Sequence, residues 1–390
     1  MSLYVHFPFC KKRCSYCDFN TYAGLEHKID VYLGALCKEI SAITAQFPKI
    51  PIHTIYFGGG TPTLIPVEAH ELLIEKIKNS FRIEDNLEFT IEANPESVSK
   101  SDLIRLKGLG INRLSMGLQS VHEDELRMLQ RIHSTDTAYN AIDLAREAGF
   151  EHVSVDLMYG LPGQTLKKWE HTLQSASKLK ISHISLYSLT IEEGTQLQAQ
   201  IKQGELSPSN GDLMAEMYEL AQDTLSEKGF QHYEISNWAK LDERGKTAVS
   251  RHNLQYWLNR PYIGIGAGAH SCFNGVRSAN INSVKAYINQ VEANILSRNA
   301  FSPACEETIL INHETEMKES MMLGFRLIQE GISDTDFSRR FEISCFEVFK
   351  GELNYLLKNE LIERIGPQNE RVILTNKGKL LGNQVFMQFV

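Results

Sequence analysis

The sequence predicts an α/β fold of six successive βα units, followed by a smaller, mainly helical unit. Three observations carry that prediction. Short β-branched or aromatic runs alternate with longer helical patterns as far as about residue 190, the signature of repeated units that build a parallel sheet. After a helical stretch at 211–228 the pattern becomes irregular, and the last part of the chain returns to helices and two short apolar β runs. A chain of 390 residues also exceeds what one hydrophobic core organises, so a large α/β body with an appended domain is expected.

The strand runs are residues 3–7, 54–57, 88–92, 113–116, 153–157 and 183–189, each rich in β-branched or aromatic residues with Gly or Pro nearby. Segments 29–46, 67–79, 135–148 and 166–179 place apolar residues at helical spacing, and Gly149 supplies a C′ stop for the third. Six such units either close partway into a barrel or lie open as a doubly wound sheet; periodicity does not choose between them. Both architectures gather ligands beyond the carboxyl ends of the strands, where Cys10, residues 58–60, Glu92, Gln119 and Asp156 all fall.

Segments 233–238, 252–257 and 264–270 are dense in aromatic, His and Gly residues, and they read as loops forming a functional face. From about 313, a helix over 314–329, two shorter helical patterns and the β runs 361–365 and 372–374 suggest a winged-helix-type unit. The domain boundaries expected are 1–230 for the α/β core, 231–300 for an extension of it and 301–390 for the C-terminal domain.

Lys and Arg number 40 against 48 Asp and Glu, a net charge of −8, which argues against a nucleic-acid partner because that needs a basic footprint to displace counterions. Residues 3–7 begin a strand with no basic region and apolar stretch before it, and no apolar run approaches the ~20 residues that span a bilayer. A cytoplasmic protein, at most membrane-associated, is expected. Three of the seven cysteines crowd into eight positions, which suits metal binding in a reducing compartment. Cys37, Cys272, Cys305 and Cys345 are scattered and read as small buried thiols.

Cys10-x₃-Cys14-x₂-Cys17 directly after a strand puts three thiolates on one loop, a geometry suited to three corners of a cuboidal Fe–S cluster. A structural zinc site would need a fourth ligand, for which only His6 or Cys37 offers itself nearby. An electron-carrier ferredoxin would supply a fourth cysteine close by, and Phe19 stands two after Cys17 instead. His6 is expected to pack beneath the loop.

The spacing, with Tyr16 before the last cysteine, resembles the signature of the radical S-adenosylmethionine (SAM) superfamily. Gly58-Gly59-Gly60-Thr61-Pro62 after the second strand strengthens the resemblance, since glycine lets backbone approach a ligand closely. The resemblance implies a partial (β/α)₆ TIM-like barrel with a winged-helix-like C-terminal domain. It also implies a [4Fe–4S] cluster on Cys10, Cys14 and Cys17, with one iron open to SAM. Glu92, Gln119, Arg131 and Asp156, in Glu92-Ala93-Asn94-Pro95, Met116-Gly117-Leu118-Gln119-Ser120, Gln130-Arg131-Ile132-His133 and the segment from Asp156 to Pro162, resemble SAM contacts of the coproporphyrinogen-dehydrogenase branch. Arg131 would pair the SAM carboxylate in a fork. Gly59, Gly60, Thr61 and Tyr16 join this set, with Tyr4 and Thr190 as weaker members.

Within that branch the chain is most similar to the HemW-type heme chaperones. The HemN-type dehydrogenases carry a fourth cysteine where Phe19 stands here, and an N-terminal arm, whereas nine residues precede Cys10. His252-Asn253-Leu254-Gln255-Tyr256-Trp257 resembles the His-Asn-x-x-Tyr-Trp motif implicated in heme binding: His252 as an axial ligand, Asn253 beside it, Tyr256 and Trp257 as an apolar wall. The plain alternative is a hydrogen-bonded loop capping the barrel, and His270 is open to the same two readings. The function implied is binding of heme, cluster and SAM and transfer of heme to acceptors such as membrane respiratory enzymes, with an electron donor and a homodimer as further partners. The alternatives are an oxygen-independent coproporphyrinogen III dehydrogenase and a structural metal-binding protein; no catalytic residue is assigned.

Overall fold

The computed structural model describes residues 1–242, 245–296 and 300–390. The chain forms two compact units, one of residues 1–224 with 261–310, the other of 225–260 with 311–390.

The first unit opens on strand β1 (Ser2–Phe7) and helix α1 (Ile29–Gln46), which buries Tyr32, Leu33, Leu36, Ile40 and Ile43 along one stripe. Then come β2 (Pro51–Gly59), α2 (Val67–Ser80), β3 (Arg82–Ala93) and α3 (Lys100–Gly108). They are followed by β4 (Arg113–Gln119), α4 (Glu123–Met128), α5 (Thr135–Glu147), β5 (His152–Tyr159), α6 (Leu166–Ser177) and β6 (His183–Ser188). All six strands pair in parallel with their sequence neighbours. A doubly wound sheet reverses direction at a switch point. Here β1 to β6 advance without reversal, which is the winding of a barrel wall.

Several helix ends follow local chemistry. Ser99, Ser134 and Thr165 cap α3, α5 and α6 by accepting the N–H three residues on. Gly149, at φ +89°, stops α5 as the sequence predicts. The seven residues of β4 are all buried, as expected of a strand covered on both faces.

The glycine-rich segment at 264–270 is not a loop throughout. β7 (Tyr262–Ile265) pairs in parallel with the free side of β1, and β8 (His270–Phe273), β9 (Val276–Asn280) and β10 (Cys305–Leu310) continue the sheet antiparallel. Gly264 and Gly266 are needed there because neighbours approach closely: a Cβ on Gly264 would lie 2.1 Å from the His270 carbonyl oxygen, and one on Gly266 2.6 Å from the Tyr32 hydroxyl.

The second unit holds a hairpin of Gln231–Glu234 and Asn237–Ala239 and a short helix, Arg251–Trp257. Helices His313–Gly324, Asp334–Phe341, Cys345–Val348 and Lys350–Lys358 join a three-stranded sheet of Ile332–Ser333, Arg371–Leu374 and Ile362–Ile365, the winged-helix-type arrangement. Its core packs Phe325, Phe337, Phe349, Leu353, Val372 and Phe389. The helix expected over 314–329 ends at Gly324, where Phe325 takes the C-cap position.

Candidate functional site

One cavity of the first unit is lined by residues from the carboxyl ends of β2, β3, β4 and β5 and from the loop after β1. It brings together Cys10, Cys14, Cys17, Tyr16, Gly59, Gly60, Glu92, Gln119, Arg131 and Asp156, ten residues that the sequence reading had marked from separate segments. The alternation of a strand explains the placement, since side chains two apart share a face.

The cysteine loop is anchored by backbone bonds. Ser15 N donates to the Leu129 carbonyl at 3.2 Å, Cys17 N to Cys14 at 3.2 Å and Thr61 N to Phe9 at 2.8 Å. Beneath the loop, the buried His6 ring bonds the Asn20 carbonyl at 2.8 Å through Nε2 and the Tyr4 hydroxyl at 2.9 Å through Nδ1. His6 is therefore a brace, as expected, and Tyr4 acts through it and does not line the cavity.

Each thiol faces a donor or hydroxyl. Thr61 Oγ1 donates to Cys10 Sγ at 3.8 Å, Arg131 Nη1 to Cys14 Sγ at 3.4 Å, and Cys17 Sγ lies 3.5 Å from Thr21 Oγ1. Burial pushes the Cys10 thiol up to about 11, which favours the neutral form; a bound cation favours the thiolate. Burial likewise raises the Tyr16 phenol, which packs against Leu129, Met158, Leu161, Leu189 and Leu197.

Gly59 has φ +115°, and a Cβ on Gly60 would lie 2.5 Å from Phe9 O and 2.9 Å from Cys10 Sγ. No side chain fits at either position, so this turn presents bare backbone to the cavity. Gln119, at the end of β4, adopts the left-handed region at φ +66°, a strain of the kind concentrated at functional sites.

Two carboxylates stand deep in the cavity. Burial lifts Glu92 to about 7 and Asp156 to about 6, and Asp156 adds repulsion at Glu92. Glu92 accepts from Tyr56 Oη at 2.6 Å and Gly59 N at 2.9 Å; Asp156 accepts from Ser115 Oγ at 3.5 Å. Arg131 Nη2 donates to Asn94 Oδ1 at 2.6 Å and Gly117 O at 2.9 Å, while its buried Nε has no partner among the described residues. The fork anticipated for Arg131 is thus largely engaged by protein acceptors. Asn94 also donates to Thr61 Oγ1 at 2.9 Å, linking the glycine turn to the arginine.

Sequence reasoning passed over Asn94, Ser115, Gly117 and Tyr56. The period of two would have found three of them: Tyr56 precedes Gly58 by two, and Ser115, Gly117 and Gln119 share one strand face. Thr190 lies just after β6, exposed and outside the cavity lining. In the second unit, His252 is buried on a helix capped by Ser250, and its Nε2 lies 3.0 Å from Tyr256 Oη. Asn253 is half-buried beside it, and the Arg326 guanidinium lies 4.1 Å over the Trp257 ring. The motif is a helix, not a loop. His270 is exposed on β8.

A model of the radical SAM superfamily matches residues 4–176, and one of the HemN C-terminal domain matches 311–381. Over 390 residues, 100% of this chain and 99% of the relative, the chain is 38% identical to the heme chaperone HemW of Bacillus subtilis (strain 168). The chain belongs to the HemW family of radical SAM proteins. It is 32% identical to the heme chaperone HemW of Lactococcus lactis subsp. lactis (strain IL1403), over 100% of this chain and 97% of that one. Among solved structures, coproporphyrinogen III oxidase (HemN) from Escherichia coli superposes with a TM-score of 0.84 at 24% identity, covering 100% of this chain and 89% of that one. That likeness establishes the fold, an α/β radical SAM barrel with a mainly helical C-terminal domain.

Radical SAM membership of the HemW family brings a [4Fe–4S] cluster and SAM, and the residues present fit both. Three thiols share one loop at the cavity wall, and the described lining holds no fourth. Among the described residues, no three His, Cys, Asp or Glu side chains converge on a single-ion site; a cubane spreads its irons over separate corners and does not require that convergence. Bare backbone at Gly59 and Gly60, two carboxylates and an unpartnered arginine N–H suit a zwitterion bearing amine, carboxylate and ribose hydroxyls.

Proposed function

We propose that this chain is a heme chaperone that binds heme, a [4Fe–4S] cluster and SAM and passes heme to acceptor proteins, including membrane respiratory enzymes. The observation that carries the reading is end-to-end identity of 38% and 32% to proteins named as heme chaperones. Phe19 supports it: this side chain is 69% exposed at the cavity rim, where the HemN-type pattern has a cysteine.

In this reading Cys10, Cys14 and Cys17 hold three irons. A cluster held there would supply an iron without a protein thiolate, open to SAM, and a source of one electron. Gly59, Gly60 and Thr61 line the methionyl amine, Glu92 and Asp156 accept from amine and ribose donors, and Arg131 Nε and Gln119 complete the SAM contacts. Tyr16 walls the cavity, with Tyr4 bracing it through His6. The helix bearing His252, Asn253, Tyr256 and Trp257 carries heme contact. Cofactor work falls to the barrel unit, and the heme helix, Arg251–Trp257, belongs to the second unit, whose residues 311–390 take packing or partner contact. The protein works in the cytoplasm. No described helix is long and apolar enough to cross a membrane, so on this reading contact with membrane acceptors is peripheral.

Anaerobic heme titration of the reconstituted protein, with and without SAM, paired with an assay for protoporphyrinogen from coproporphyrinogen, tests the reading. Saturable heme binding without turnover is expected. Catalytic formation of protoporphyrinogen would make the chain a dehydrogenase instead.

A further inference from the structure

We propose that Lys11, Lys12 and Arg13, with Phe19 beside them, form the docking surface for an acidic one-electron carrier protein that reduces the cluster held by the same loop. The proposal rests on the assignment of the cluster to Cys10, Cys14 and Cys17.

The three residues between the first two cysteines are all cations, and all three are exposed. Asp18 is the one carboxylate in residues 10–22. No ion pair engages the three cations among the described residues. Arg13 Nη2 instead donates to the Phe19 carbonyl at 3.5 Å, so cations and aromatic ring belong to one patch. Lys12, Arg13 and Phe19 also line the mouth of the cavity whose wall carries the thiols, and Cys14 and Cys17 are only half-buried.

This patch stands out against a chain of net charge −8. An acidic partner is repelled by the surface at large and drawn to the loop, which selects both encounter rate and orientation. An exposed aromatic ringed by charge has the make-up of an interface centre with a polar rim. Four side chains make a compact patch, of the kind that suits the short-lived contacts of redox partners. The reaction makes and breaks no covalent bond: the reduced flavin or iron–sulfur group of the carrier loses one electron, and the cluster gains it.

The test uses the full chain with its cluster reconstituted and reduced flavodoxin, an acidic flavin protein, as probe. Two quantities are read at low and high salt: affinity for oxidised flavodoxin by titration calorimetry, and the rate of cluster bleaching by stopped flow. Lys11→Glu combined with Lys12→Glu is expected to weaken binding and slow reduction about tenfold or more, as high salt does for the unaltered protein. Reduction by photoreduced deazaflavin, a small molecule, stays unchanged, as does iron content. Rates for flavodoxin within twofold of the unaltered protein, or a rate indifferent to salt, overturn the proposal. So does a loss confined to sedimentation with phosphatidylglycerol vesicles, which would assign the patch to an anionic lipid surface. Unaltered protein that takes up no iron and sulfide, seen before any donor is added, overturns the cluster assignment and this proposal with it.

Discussion

Glu92 stores a pH dependence in the fold. Its carboxyl is raised from 4.5 to about 7, so the protonated form favours the folded state; that contribution is complete below about pH 4.5 and is lost as pH rises through 7. Stability should therefore fall between pH 5 and 8, by about 2 kcal/mol from this group once its partly wet edge is discounted. Asp156, raised to about 6, adds in the same sense. Urea unfolding across that range should show the slope, and Glu92→Gln should remove the larger share of it. His252 offers a second test: its Nε2 is held by the Tyr256 hydroxyl, so that bond must open before Nε2 can meet iron. His252→Ala should lower heme affinity with cluster iron unchanged, and Tyr256→Phe should raise affinity several-fold, as loss of one competing bond worth about 1 kcal/mol implies. An unchanged titration in both variants removes this helix from the heme site. Sequence reading catches chemistry that is local, and the three cysteines and the glycine turn it singles out line one cavity. It missed Asn94 because an amide whose value lies in joining Thr61 to Arg131 leaves no mark on its own neighbours in sequence.

Strands and helices of the barrel were legible because each hides one face or both. α1 runs over Ile29–Gln46, the span its periodicity predicts, and every barrel strand lies where a β-branched run stands. α3 was overlooked, although Ser99 caps it and a serine before Asp102 is a start signal; nine residues give too few turns for a strong period. The sheet extension from β7 to β10 was hidden for a different reason. Gly264-Ile265-Gly266 has the composition of a loop, yet its glycines exist because two other chain segments crowd against them. Gly264→Ala should consequently force β7 and β8 apart and cost about 3 kcal/mol, an overpacking against backbone that no rotamer relieves. Gly34→Ala is the comparison, a site that like Gly264 lies outside the positive-φ region but where a Cβ meets nothing within 4 Å; it should cost less in the same urea titration. Equal effects would show that the close approach does not constrain Gly264.

At the scale of the molecule, protein hydrogen bonds tie the cysteine loop to the barrel, through Ser15, Thr61, His6 and the Asn20 amide that donates to the Ala267 carbonyl at 3.0 Å. Removing iron with a chelator should thus leave the far-ultraviolet circular dichroism unchanged while the brown chromophore disappears. A collapse of the spectrum would mean the metal organises the barrel, as it does in small zinc domains. The division into units was not legible, since segment 225–260 belongs with 311–390 and the sequence carries no punctuation for such a return. The order of strands has one more effect. β1 lies between β2 and β7, so residues 2–5 wait for residues 262–265, far along the chain, to acquire their second neighbour. A pairing so distant along the chain forms slowly. Until that contact is made, the strand that leads into the cysteine loop is paired along one side alone, and the loop gains its full support only when the distant segment docks.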